Sequence, residues 1–243
     1  MYLPAHFEES RPEVLHQALR DHPLGLLITQ GLDTAPGLRP DRRTCEAVQS
    51  RPEDEPLSLG SCTGPSLPRL SANPIPFLLD TEPDGSCVLR GHVARANPVW
   101  REARRDADAL VVFQGPQAYI SPAWYASKAE HGKVVPTWNY VMVQARGPLR
   151  VLDDSAGLLA FVTRLTARHE AARAQPWAVG DAPPDYIATM LRAIVGIEIP
   201  VHTLTGKWKV SQNRSATDRE GVATGLVALG EAQAAAMGTL VRR

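Results

Sequence analysis

Three short runs hold the residues whose types and spacing could do chemistry. They are Gly91 to Trp100 (GHVARANPVW), Gln114 to Tyr125 (QGPQAYISPAWY) continuing to Thr137 to Tyr140 (TWNY), and Gly206 to Arg214 (GKWKVSQNR). In each, aromatic residues stand among Arg, Lys, Asn, Gln or Ser. A flat, phosphate-bearing ligand needs a surface to stack on, charge for its phosphate and amides for its ring edges, so this mixture points to a bound cofactor. In the first run a neutral His92 can donate to a phosphate or ligate a metal centre such as haem iron. Arg95 can grip a phosphate with two parallel hydrogen bonds, and Asn97 stands beside them. Strand alternation, however, sets His92 and Ala94 on one face and Val93 and Arg95 on the other. Taken alone, His92 reads as structural, and its place in the cluster is what argues for function. Trp138 and Trp208, each flanked by polar residues, suit ligand contact or core packing equally. The charged stretch 127–133 reads as a solvated loop from which Lys128 or Lys133 could meet a phosphate.

Other chemistries lack their signatures. There is no Gly-rich dinucleotide fingerprint, no P-loop, no HExxH zinc site and no GxSxG nucleophile elbow, and no Cys/His arrangement stands out. Any reaction would therefore belong to a cofactor. The 26 Lys and Arg residues balance 26 Asp and Glu, so no overall positive field holds a polyanion such as DNA. Cys45, Cys62 and Cys87 are odd in number and lack metal-ligand spacing, which fits a reducing compartment and predicts a cytoplasmic protein. The first residues lack a basic region followed by an apolar stretch, and no apolar run approaches the length of a membrane span.

The elements that must position these residues follow from periodicity. Ser10 with Glu13 resembles a capping box that starts a helix ending near Asp21, stopped by His22 and Pro23. Gly25 to Thr29 reads as a strand. Residues 34–72 are rich in Pro, Gly, Ser and Arg without periodicity and are expected to form a mobile insertion, from which Arg39, Arg42 and Arg43 could close over a ligand. Short apolar runs at 75–79, 86–94, 109–113, 117–121 and 134–152 predict closely spaced strands, hence an antiparallel sheet or barrel. Asn97 to Trp100 should open a small helix through the charged 101–108 stretch, placing Gly91 to Asn97 at a strand-to-helix junction suited to an anion. Asp154 and Ser155 can cap a helix running to about Ala174, and the run 181–185 restarts a helix through about Leu191. A strand at 197–201, with Pro200 suggesting an edge or bulge, delivers the third run, and a last helix begins near Asp218.

At these residues the sequence resembles the PaiB family of FMN-binding negative transcriptional regulators. The resemblance runs through MYLPAHF at 1–7, RPEVLH at 11–16, HPLG at 22–25, PFLLD at 76–80 and GHVARANP at 91–98. It continues through FQGP at 113–116, AYISP at 118–122, KVVPTWNY at 133–140, VGIEI at 195–199 and KWKVSQNR at 207–214. It implies a mainly β, antiparallel FMN-binding split barrel with flanking helices, a single domain over 1–243 interrupted by the insertion. It also implies a homodimer with flavin at the subunit interface. By the same resemblance His92, Arg95 and Asn97 lie near the FMN phosphate, and Trp138, Asn139, Lys209, Ser211, Gln212 and Asn213 join the cofactor site.

Two departures stand out. The family commonly joins its first two strands by a short turn and carries a His just before the Ile-Pro-Phe segment; here the long insertion intervenes and Pro74 takes that place. The family label suggests DNA, yet no helix-turn-helix signature or concentrated basic face supports it. The leading expectation is a flavin-binding regulator rather than an enzyme of turnover. The alternative is a haem-dependent redox enzyme on the same fold, similar to piperazate synthases, with His92 as axial ligand.

Overall fold

Alternating burial along the chain builds two antiparallel sheets. The computed structural model describes residues 1–32, 68–105 and 107–243. Its strands are β1 (Glu8–Glu9), β2 (Leu24–Leu32), β3 (Pro68–Pro76), β4 (Leu78–Thr81), β5 (Cys87–Ala94), β6 (Asp108–Ile120), β7 (Thr137–Pro148), β8 (Arg150–Leu152), β9 (Ile194–Pro200) and β10 (Thr203–Lys209). The helices are α1 (Pro12–Asp21), α2 (Val99–Glu102), α3 (Ser127–His131), α4 (Ser155–Glu170), α5 (Pro184–Arg192), α6 (Ala216–Ala228) and α7 (Ala232–Arg242). A six-stranded sheet has the order β1-β10-β7-β6-β2-β3 and a four-stranded sheet the order β4-β5-β9-β8. This is the antiparallel, mainly β architecture with flanking helices that the sequence predicts, and the sheets do not close into one continuous barrel.

The main core lies between the sheets. Leu27, Val111, Phe113 and Val143 of the larger sheet meet Leu89, Val93, Ile197 and Ile199 of the smaller, and Leu15 and Leu19 of α1 join them. Phe77 meets Phe113 edge to face at 6.0 Å between ring centroids, the arrangement their ring quadrupoles favour. A second cluster joins Ala118 and Ile120 of β6 to Val222 and Leu226 of α6 and Met237 and Val241 of α7. A third seats Leu158, Phe161 and Leu165 of α4 against Leu78, on the side of the smaller sheet away from the main core.

A proline ends the strand at three of the four passages between sheets. β3 ends at Pro76 before β4, β7 at Pro148 before β8, and β9 at Pro200 before β10. Without an N–H, proline cannot extend a ladder, so the chain leaves one sheet there and enters the other. Pro200 is therefore not the sign of an edge: β9 pairs with both β5 and β8, and Pro200 is its last residue. At the β7 corner the chains approach so closely that a Cβ on Gly147 would overlap the backbone carbonyl oxygen of Pro200.

Several boundaries differ from the sequence expectations. Residues 68–72 belong to β3, whereas the rest of the expected insertion, including Arg39, Arg42, Arg43, Cys45 and Cys62, lies outside the described residues. The segments 109–113 and 117–121 form one strand with a register shift between Gln114 and Gln117, so Gly115 and Pro116 make a bulge rather than a turn. The helix expected through 101–108 stops at Glu102, because the chain turns back to β2: Ala103 bridges Gly31, and the Arg104 amide donates to the Gln30 carbonyl. Ser10 does not cap α1; Arg11 is its N-cap residue, and its amide donates to the Glu9 carboxylate. The stretch 127–133 is not a simple loop but carries α3, whose Ser127 amide and hydroxyl donate to buried Asp218. Asp154 caps α4 as expected, accepting from the amides of Ala156 and Gly157. Two helices, α6 and α7, replace the expected single last one.

Because Gly147 faces backbone that no rotamer change can move aside, Gly147→Ala should destabilise the fold by about 1–3 kcal/mol. The measurement is the urea midpoint at unchanged m-value.

Candidate functional site

The larger sheet has a face that the described chain leaves largely open. On β2, Gly25, Leu27 and Thr29 point into the core, while Leu24 and Leu26 point away and are 62% and 39% exposed. Register carries this outer face across the sheet: Leu24 and Leu26 pair with Pro76 and Pro74 of β3, and Leu26 and Ile28 with Val112 and Leu110 of β6. Leu70 of β3 is 68% exposed and pairs with Gln30. An antiparallel sheet facing water normally shows polar residues there. This one shows Leu, Ile, Val and Pro.

Toward the other end the face becomes aromatic. Tyr119 of β6 pairs with Trp138 of β7, each 48% exposed, with ring centroids 6.2 Å apart. The Trp138 indole N–H donates to Gln117 Oε1 at 3.2 Å. Tyr140 follows on β7, opposite Lys209, and the Lys207 ammonium sits 5.5 Å from the ring centroids of both Tyr140 and Tyr2. A flat ring could stack here beside a side-chain amide and a cation.

The residues singled out from sequence fall into separate places. His92 lies on the side of β5 away from the main core, its ring 5.9 Å from that of Phe161 on α4, with Nδ1 buried and without a hydrogen-bond partner. Burial holds its pKa below the usual imidazole value. Arg95 is fully engaged: Nη2 donates to Asp153 at 2.7 Å and to the Ile194 carbonyl at 3.0 Å, and Nε to the Arg192 carbonyl at 2.7 Å. Asn97 accepts from the Val99 amide at the start of α2 and donates to Asn73 Oδ1. The expected convergence of His92, Arg95 and Asn97 on one anion is thus absent in this structure, because successive side chains leave the strand in opposite directions and each finds its own contacts.

The second group divides across the larger sheet. Trp138 is on the open face, whereas Asn139 is 1% exposed and donates to Ser211 Oγ at 2.9 Å. Ser211 holds a left-handed backbone at φ 64°, an uncommon conformation for a residue other than glycine. Lys209 Nζ donates to Thr137 Oγ1 at 2.6 Å. Gln212 ties the N-terminal segment down by donating to the His6 and Trp208 carbonyls. Asn213 lines an open polar cleft of about 590 Å³ with Lys133, Arg214 and Ser215 at the start of α6.

Sequence reading missed Lys207 and Tyr2. Alternation over β10 could have found the first, since Trp208 packs against the core and Lys207 must then face the other way. It also missed a contact between Cys87 Sγ and His16 Nε2 at 3.4 Å, because 71 positions separate them in the chain. No group of three or more potential metal ligands occurs among the described residues, and none of their helices is long and apolar enough to cross a membrane.

The buried His92 gives a pH signature. Its folded pKa is depressed, so the unfolded chain takes up the proton first as pH falls below about 6.5. Stability should decline through that range and the loss should level off below the folded pKa. His92→Gln should flatten the decline, leaving the slope due to His16, which burial also depresses; urea unfolding between pH 7.5 and 5 measures it.

The chain is similar to known proteins along most of its length. An uncharacterized protein of Emericella nidulans is 33% identical over 273 aligned positions, spanning 100% of this chain and 96% of the relative. The protease synthase and sporulation protein PAI 2 of Bacillus subtilis is 28% identical over 218 positions, spanning 90% of this chain and 85% of the relative. Among solved structures, the FAD and haem binding protein from Mycobacterium smegmatis aligns with a TM-score of 0.48 at 14% identity, over 83% of this chain and 73% of that one. Residues 1–203 match the family described as "Putative FMN-binding domain", and the chain belongs to that family.

Proposed function

We infer that this protein is a cytoplasmic homodimer that binds FMN on the open face of its larger sheet and acts as a PaiB-type regulator. The observation that carries the reading is that face itself. Its apolar half, with Leu24, Leu26 and Leu70 toward solvent, suits closure by a second copy, since exposed contiguous apolar surface on this scale marks an interaction site. Its aromatic half suits the isoalloxazine: Trp138 and Tyr119 offer a stacking surface and Gln117 an amide for a ring edge. Membership of an FMN-binding family supports the identity of the ligand.

When bound, the flavin would supply one- or two-electron transfer. The chain's own part is to bind it, orient it and exclude water. Among the residues predicted from sequence, Trp138 is the best placed for that work. Arg95 is better read as a strut joining the end of β5 to the segment after β8 and to the start of β9, because a phosphate would have to displace Asp153 and two carbonyls. Pro74, standing where the family commonly has a His, lies on the same open face opposite Leu26 and removes a hydrogen-bonding side chain from it. Regulation through a bound flavin also fits the charge: 26 basic and 26 acidic residues leave no net field to draw DNA.

The residues around His92 fit haem poorly in this conformation. Nδ1 is buried and Phe161 packs against the imidazole, so an iron has no room at Nδ1 while this packing holds. Added haem should therefore give no Soret band that depends on His92.

Titration with FMN should give the two-band visible spectrum of a bound flavin, and light scattering should give twice the chain mass of 26.4 kDa. Trp138→Ala should weaken FMN binding about tenfold, the value of one aromatic contact of ~1.4 kcal/mol. Leu26→Asp should give a folded monomer by scattering and circular dichroism. A wild-type monomer that takes up no flavin would overturn the reading.

A further inference from the structure

We propose that Lys207 receives the anionic part of the flavin on the open face, and that Tyr2 covers it until the ligand arrives. The inference rests on the flavin reading above and assigns a residue and a cover to that site. Lys207 is only 7% exposed. A lysine is seldom so buried unless its charge is paired. Its Nζ carries three donors, and one of them goes to the Tyr2 carbonyl at 2.9 Å. The centroids of the Tyr2 and Tyr140 rings each lie 5.5 Å from Nζ. Among the described residues no carboxylate pairs with it, although Glu8 is its register neighbour on β1.

The cover is of an unusual kind. The Tyr2 carbonyl and ring both lie against the ammonium, yet Tyr2 is itself 84% exposed, so little else holds its side chain. The anchorage comes later in the segment: the Phe7 amide donates to the Pro4 carbonyl, Gln212 holds the His6 carbonyl, and β1 pairs with β10. Tyr2 can thus swing about a fixed base. With Tyr2 displaced, the ammonium loses an acceptor and a ring in apolar surroundings, and an anionic group restores what it lost. Lys207 sits beside Tyr140, two residues along β7 from Trp138. Two parts of FMN have the required chemistry, the phosphate and the electron-rich edge of the ring near N1.

The test compares wild type, Lys207→Met and Lys207→Arg in fluorescence titrations with FMN and with riboflavin, each variant first checked for folding by circular dichroism. Lys207→Met should weaken FMN binding about tenfold to a hundredfold, as expected for loss of a charge-assisted hydrogen bond, and Lys207→Arg should recover much of it. Weakening of FMN alone assigns the phosphate to Lys207, and equal weakening of riboflavin assigns the ring edge. Unchanged affinity for both flavins in Lys207→Met overturns the role of Lys207 while leaving the flavin reading intact; a wild-type protein that binds neither flavin overturns both. The cover is tested without ligand: Tyr2→Gly should raise the rate at which acetic anhydride modifies Lys207, read by mass spectrometry, at least several-fold. An unchanged rate refutes the cover.

Discussion

A six-stranded sheet with apolar residues on both faces needs two covers, and the described chain provides one. The inner face is divided between the smaller sheet, which meets Leu27, Val111 and Val143, and the α6–α7 pair, which meets Ala118 and Ile120. The outer face leaves Leu24, Leu26, Leu70, Tyr119 and Trp138 in contact with water. At about 25 cal/mol for each square ångström of apolar surface removed from water, such a face is a standing free-energy difference between an open and a covered state. The dimer and the flavin site proposed above would both draw on it.

The corners decide how rigidly that face is presented. Pro76, Pro148 and Pro200 end strands where the backbone changes sheets, and Gly147 lets β7 pass over the end of β9. On the far side of the smaller sheet, Arg90 binds the carboxylates of Asp80, Glu82 and Glu198, and Asp80 also pairs with Arg164 of α4. One guanidinium therefore joins β4, β5 and β9, and through Asp80 it reaches the helix lying over His92. This arrangement explains why His92 and Arg95 serve the smaller sheet: their surroundings are already filled by α4, Asp153 and carbonyl groups. The proposed flavin site is therefore sought on the other sheet, where Tyr119 and Trp138 lack cover among the described residues.

Strand β3 and the N-terminal segment border the open face at opposite edges. β3 is the outermost strand on one side, while Tyr2 leads into β1, the outermost on the other. One edge carries Pro74 opposite Leu26, and the other carries Tyr2 beside Lys207.

Local sequence determined a good deal. Alternation located the strands, the Asp154 cap began α4, and the polar aromatic runs marked β5, the β6–β7 hairpin and β10 as the informative parts of the chain. These signals are legible because burial on one face of a strand imposes a period of two, and because a capping side chain acts within its own turn. The bulge at Gly115 and Pro116 was not legible, since the same dipeptide also makes turns and only pairing with β7 distinguishes them. Tertiary structure alone decided which face of each strand is covered. It placed Asn139 beneath the sheet and Trp138 above it, gave Arg95 to Asp153, brought Cys87 to His16, and set Lys207 between Tyr2 and Tyr140. Period two says that neighbouring side chains part company; which of them meets solvent depends on what distant segments pack against, and that free energy is settled only when the whole chain has folded.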